Sequence, residues 1–165
     1  MIFRSPEHAL KWAYETTSRP IVKISSVNAM RGASGSNNDE LTAHDKHAQA
    51  AFILALCERV LTSLHMAYVQ AQFGRDRSGF DLLVRHMATN FGTGIHSRRG
   101  IEQIIRSYCG EKGGLREIKK SMSTGLLKAA SFRNRGYDAL DAIHAQAMSV
   151  LWDEMQGRML LAAGA

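Results

Sequence analysis

The chain has 165 residues, of which 45% are hydrophobic, and carries 21 Lys and Arg against 15 Asp and Glu. This length predicts one domain, or one domain with a small appendage, and the hydrophobic content is sufficient for a buried core. Because no apolar run approaches the roughly 20 residues that span a bilayer and no signal peptide pattern is present, the sequence predicts a cytoplasmic protein without membrane contact.

The first forty residues predict one helix followed by a flexible arm. Ser5 and Pro6 form a typical helix start, and the apolar spacing favours a helix over Pro6–Thr16. Ile21–Ile24 is compatible with either a short strand or an extended arm, and the polar, Gly-rich residues 28–39 are typical of a flexible linker. We therefore divide the chain into an N-terminal helix with its arm, 1–40, and a helical body, 41–165.

The body predicts helices throughout, because apolar residues recur at spacings of three and four from Leu41 onward. Ser63 is the expected cap of a helix that follows it, and Ser97 the cap of another. The last helix is expected to run from Thr124 to about Met155. The fold class that follows is all-α: a compact helical bundle with a long C-terminal helix. The helices expected in its body include Leu64–Phe73, Phe80–Asn90 and Leu115–Met122.

Positive charge is concentrated in residues 98–135. This window holds ten Lys and Arg but only three acids, for a net charge of +7, whereas the rest of the chain sums to −1. A phosphate backbone is the commonest partner of so concentrated a charge. The alternative is that these side chains are solvated charges on an ordinary helical bundle.

The same window has the pattern of a helix-turn-helix unit, in which the second helix enters the major groove of DNA. We assign the supporting helix to Leu115–Met122 and the reading helix to the residues from Ser123 onward. Two positions depart from the usual pattern, since Lys119 stands where a small residue is typical and Ser123 where the turn usually has Gly. The candidate DNA contacts are Lys119, Lys120, Ser123, Thr124, Lys128, Ser131, Arg133 and Arg135, with Arg98 and Arg99 as candidate phosphate clamps.

Other kinds of site find little support. His44 and His47 could form half of a zinc site, but no second half stands at a useful spacing, so we expect no metal. Paired carboxylates, a nucleophile motif and a phosphate-binding Gly loop are all missing from the sequence, which predicts neither an enzyme nor a cofactor. Cys57 and Cys109 predict buried, reduced thiols. The aromatic residues of the basic window either stack on bases or anchor the core; they are Tyr108, Phe132 and Tyr137.

The layout resembles a known family. The opening Phe3–Leu10, the helix that carries His44–Ala50, a basic module similar to sigma-factor region 4 and the closing helix Leu140–Met155 together resemble the Q-type antitermination proteins of phages and prophage-like bacterial clusters. The resemblance is to the branch without a zinc site, because the chain lacks a Cys cluster.

The resemblance implies a transcription antitermination factor. Such a protein binds a double-stranded DNA element near a promoter and engages RNA polymerase that still holds its sigma factor. It then travels with the polymerase and narrows the RNA exit channel, so that terminator hairpins cannot form there. The polymerase contacts would come from the near-neutral N-terminal part and from the loop Arg31–Asp39.

Two further functions remain open at this point. One is a sequence-specific transcriptional repressor or activator, which would use the same reading helix as a dimer on a palindrome. The other is a helical adaptor whose basic face binds an acidic protein instead of DNA.

Overall fold

The computed structural model describes residues 2–19, 41–90, 98–111 and 113–162. Within these ranges the chain forms seven α-helices and no strand, apart from an isolated parallel bridge between Phe3 and Leu161. The predicted all-α class and the long C-terminal helix are therefore confirmed. The helices are α1 (Pro6–Thr17), α2 (Ala43–Val60), α3 (Ser63–Gln72), α4 (Phe80–Asn90), α5 (Arg98–Tyr108), α6 (Leu115–Met122) and α7 (Leu126–Gly157).

Helix α1 begins where the sequence predicts and belongs to the core. The Ser5 hydroxyl accepts the His8 N–H at 3.2 Å, and Pro6 occupies the first turn. Leu10 is fully buried in the apolar cluster that the helices share, and α1 packs against α2 and α7. The predicted arm, including Ile21–Ile24, lies outside the described residues, and the division of the chain at residue 40 stays a prediction.

The starts of α2 and α3 are set by two threonines. Thr42 and Asp45 form a reciprocal capping box, and the hydrogen bond from the Thr42 hydroxyl, at 2.6 Å, lowers the pKa of the Asp45 carboxyl. The expected cap Ser63 is wrong, because the hydroxyl of Thr62 accepts the His65 N–H at 3.3 Å. Thr62 has extended backbone angles whereas Ser63 is already helical, so α3 begins one residue earlier than predicted.

Helix α7 runs through the centre of the molecule. Its 32 residues make it about 48 Å long, at 1.5 Å per residue. It packs against each of the six other described helices. The residues that it buries recur every three, four or seven positions, so they form a single stripe; they are Ala129, Gly136, Leu140, Ile143, Ala147, Leu151 and Met155.

The two ends of the described chain meet beside this core. The Phe3 N–H donates to the Leu160 carbonyl at 2.8 Å, and the Ala162 N–H donates to the Phe3 carbonyl at 2.9 Å. Phe3 is buried and lies 5.2 Å, centroid to centroid, from the Trp12 ring. None of the helices in the described ranges is both long and apolar enough to cross a membrane.

Both cysteines are free thiols, and the predicted burial is confirmed for Cys57 but is only partial for Cys109. Cys57 is fully buried in α2, and burial raises its pKa to about 12. Cys109 is half-buried just after α5, and burial raises its pKa to about 11. Neither thiol is therefore ionised to a significant extent at neutral pH.

The connection between α3 and α4 depends on a close approach at Gly79. A Cβ atom at this position would lie 2.6 Å from the Ala67 Cβ and 2.8 Å from the Ala67 Cα. Such distances require the backbone to shift, so α4 can approach α3 this closely only with Gly at position 79.

We expect Gly79→Ala to lower the free energy of unfolding by about 1–3 kcal/mol, because the added methyl group must push α4 away from α3. The matched control is Gly157→Ala, where no atom lies within 4 Å of the new methyl group. That control should raise the stability by up to about 1 kcal/mol through helix propensity. Urea unfolding followed by circular dichroism measures both, and equal stabilities of the two variants would contradict the close packing at Gly79.

Candidate nucleic-acid interface

The basic residues predicted to bind DNA lie on three consecutive helices. We use the name basic module for α5, α6 and the first three turns of α7, Leu126–Tyr137. Helix α6 ends at Met122, and a three-residue turn, 123–125, leads into α7. Helix α5 packs against both α6 and α7, so the three helices form one packed unit.

Ser123 makes the turn by adopting left-handed backbone angles, φ 50° and ψ 42°. Its N–H donates to the Lys120 carbonyl, and the Thr124 N–H donates to the Lys119 carbonyl, both at 3.3 Å. This pair of hydrogen bonds is the Schellman motif, which usually has Gly at the left-handed position. Ser123 therefore occupies the turn position at which a typical helix-turn-helix unit has Gly.

The predicted start of the reading helix is wrong. The N-cap of α7 is Gly125, which has no side chain to accept a hydrogen bond, and the helix begins at Leu126 instead of Thr124. Ser123 cannot serve as the cap because its left-handed conformation ends α6. Thr124 donates its hydroxyl to the Gly125 carbonyl at 3.0 Å and caps no N–H of α7.

Hydrogen bonds between tyrosines and their partners hold α5 against α7. The Ser107 and Tyr137 hydroxyls are 2.8 Å apart, and the Tyr108 hydroxyl donates to Asp141 at 2.6 Å. Tyr108, Tyr137 and Phe132 also pack against the core. These contacts favour the anchoring role over base stacking for the three aromatic residues.

The same network continues into the body of the protein. The Tyr68 hydroxyl of α3 lies 3.4 Å from the Tyr108 hydroxyl and 3.1 Å from the His144 Nδ1. The His144 Nε2 lies 2.8 Å from Glu7 of α1. Burial raises the pKa of Tyr108 to about 12, and that of Tyr68 is raised as well, so both hydroxyls keep their protons. One chain of polar contacts thus links α1, α3, α5 and α7.

Four of the predicted contact residues line one groove. It has a volume of about 600 Å³ and runs between α6 and the start of α7, with Arg116, Lys119, Lys120, Ser123, Thr124 and Leu126 as its lining. Lys119 and Lys120 are exposed, so the position where a small residue is typical carries a solvated cation instead. The groove therefore combines three cations with two hydroxyl groups.

The predicted contact residues of α7 fall into two groups. Lys128, Ser131 and Arg135 lie on the exposed face, opposite the buried Ala129. Arg133 differs because its guanidinium lies 5.8 Å from the centroid of the Tyr137 ring and donates to the Asn134 side chain. Arg133 is thus partly held against its own helix.

The two candidate phosphate clamps also differ from each other. Arg98 forms ion pairs with both Asp81 of α4 and Glu102 of α5, so much of its charge is compensated within the protein. Arg99 is exposed beside it. The next residue, Gly100, lies against the Met122 side chain, so the start of α5 is next to the end of α6.

Sequence reasoning missed three residues of this surface. Arg116 lies in the groove, and Leu126 and Leu127 begin α7 with exposed side chains. For the two leucines one signal was available: no acidic residue occurs between Glu117 and Asp138, so no side chain in that stretch repels a phosphate backbone. The candidate contacts were chosen among polar and charged side chains, so they did not include the leucines.

The described residues contain no group of three or more metal-binding side chains, and His44 is exposed near the start of α2. No model of a known protein family matches the chain, and no curated protein is significantly similar to it.

We expect Ser123→Gly to raise the free energy of unfolding by about 0.5–1 kcal/mol, because Gly adopts the left-handed conformation without steric cost. The matched control is Ser131→Gly on the exposed face of α7, which should lose about 0.5 kcal/mol of helix propensity. Urea midpoints give both values. If the two substitutions destabilise the protein equally, the left-handed turn is not the conformation of Ser123 in solution.

Proposed function

We propose that this protein binds double-stranded DNA through the basic module and acts as a transcription antitermination factor. The observation that carries the proposal is the arrangement of α6, the tight turn and α7, which pack together on α5. The stretch from Ile118 to Tyr137, which includes the turn, contains no acidic residue. In this proposal α6 and α7 form a helix-turn-helix unit, with α7 as the reading helix in the major groove.

Three lysines of the basic module are well suited to phosphate contacts: Lys119, Lys120 and Lys128. The cations of the ion pairs in the described ranges include Arg59, Arg77, Arg98 and Arg158. Lys119, Lys120 and Lys128 take part in none of these pairs, so phosphate binding by these lysines would break no ion pair of the fold. The DNA affinity that they supply would fall steeply with salt, because each phosphate contact releases counterions.

The resemblance to Q-type antitermination proteins supports the second half of the proposal. The protein would recognise a DNA element near a promoter and join RNA polymerase that holds its sigma factor. It would then act by binding and steric exclusion at the RNA exit channel, without any bond chemistry. The predicted polymerase contacts of the loop Arg31–Asp39 fall outside the described residues.

We expect the triple variant K119A/K120A/K128A to bind a labelled random-sequence duplex at least tenfold more weakly at low salt. The slope of log K against log salt should become shallower by about two to three, at roughly 0.9 per lost phosphate contact. Fluorescence anisotropy across a salt series measures both quantities.

The matched control is K11A/R75A/R85A, which removes three exposed cations from α1, the α3–α4 connection and α4. It should bind almost as the wild-type protein does, apart from a small loss of long-range attraction. An equal loss in both triple variants would mean that net charge alone governs binding. A loss confined to the control would move the DNA-binding surface away from the basic module.

We expect the protein to raise RNA extension through an intrinsic terminator in a purified polymerase–sigma system. The template carries a duplex element selected by the protein beside its promoter, and the matched template lacks that element. The full chain is required, since truncation of α1 would remove Leu10 from the core. Gel analysis of terminated and extended transcripts gives the read-through fraction.

The outcomes separate the three functions. Altered initiation with unchanged termination would replace antitermination with the repressor or activator function. Failure to bind any duplex at low salt would favour the adaptor that binds an acidic protein.

A further inference from the structure

The first turn of α7 exposes a leucine that the fold does not use. Leu127 is 88% exposed, more than any other large hydrophobic side chain in the described part of the chain. Leu126, its neighbour, is 50% exposed and lines the groove beside α6. Single exposed leucines are common on protein surfaces and mark no site by themselves. Leu127 differs from such residues in its position and in its surroundings.

Leu127 lies on the face of α7 that would meet a base pair. Leu127, Ser131 and Asn134 follow at spacings of four and three residues and are all exposed, whereas Ala129 and Gly136 are buried on the opposite face. In a helix-turn-helix unit the first turns of the second helix approach the base edges. The exposed face of α7 carries no acid before Asp138, one turn beyond Asn134.

The charges around Leu127 favour DNA as its partner. Lys128 is the next residue, and Lys119 and Lys120 lie across the groove that Leu126 lines. A polyanion that these lysines hold would bring its own surface against the leucine. Within the major groove of DNA, the apolar group that a base edge presents is the C5-methyl group of thymine.

We infer that Leu127 reads thymine, through apolar contact with its C5-methyl group in the major groove. The leucine side chain has no donor or acceptor, so it distinguishes thymine from other bases only by that methyl group. The inference rests on the proposed DNA binding and adds to it a specificity-determining residue. An acidic protein is the other class of partner that a leucine among lysines could meet, and the experiment includes it as an outcome.

The probe is a short duplex that the wild-type protein selects from a random pool. Each thymine of the selected sequence is replaced in turn by deoxyuridine, which removes the methyl group and keeps the hydrogen-bonding edge. We expect one replacement to weaken binding by about fourfold, the effect of one buried methyl group. L127A should bind the thymine duplex more weakly by a similar factor and lose its sensitivity to that replacement.

The matched control is L82A, which truncates an exposed leucine of α4, outside the basic module. It should keep both the affinity and the sensitivity to deoxyuridine of the wild-type protein. Since Leu127 and Leu82 are both exposed, neither truncation should unfold the chain, and a thermal melt checks this. The comparison is a double-mutant cycle between one side chain and one methyl group.

The outcomes keep this inference distinct from the proposed function. Binding without any enriched sequence overturns the inference and leaves non-specific DNA binding in place. The same holds if no thymine matters, or if L127A retains the sensitivity of the wild type. If L127A binds the selected duplex normally but loses read-through with polymerase, the leucine contacts a protein instead of thymine and the inference is overturned. Failure to bind any duplex would end the proposed function itself.

Discussion

The burial of one face of α7 is the constraint on which the rest of the structure depends. Every other described helix packs against this helix, and the stripe from Ala129 to Met155 supplies its share of the core. Two of the stripe residues in the first half are small, Ala129 and Gly136. The larger Leu140, Ile143 and Leu151 fill the body of the protein. A single helix therefore sets the positions of both the core and the basic module.

Most of the fold could be predicted from the sequence because its signals are local. Apolar periodicity gave the class and the existence of each described helix, and it placed the bounds of α4 and α6 correctly. Ser5 and Pro6 marked the start of α1 because a Ser hydroxyl accepts a free N–H of the first turn and Pro, which has no N–H, leaves none unpaired there. The concentration of positive charge between Arg98 and Arg135 could also be predicted, because basic residues that are close in sequence stay close in space on short, consecutive helices.

The rest depended on contacts that sequence spacing does not contain. Ser123 and Thr124 look like helix caps by residue type. Their N–H groups instead form the Schellman hydrogen bonds that end α6, so neither residue caps α7. Arg98 looks like a phosphate clamp, but Asp81, seventeen positions earlier, lies within ion-pair distance of it. Leu127 looks like a core residue by type, and only its place on the outward face of α7 shows that nothing in the described fold covers it.

The polar chain between α1 and α7 passes through hydroxyl groups that have a single proton each. Tyr108 has one hydroxyl proton and gives it to Asp141. Any hydrogen bond between the two tyrosine oxygens must therefore use the Tyr68 proton. The His144 Nδ1, at 3.1 Å, is a second group within reach of the same hydroxyl, and the separation of 3.4 Å between the tyrosine oxygens is the longest in the chain. The Tyr68 hydroxyl of α3 is thus the point at which the contact to α5 and the contact to α7 meet.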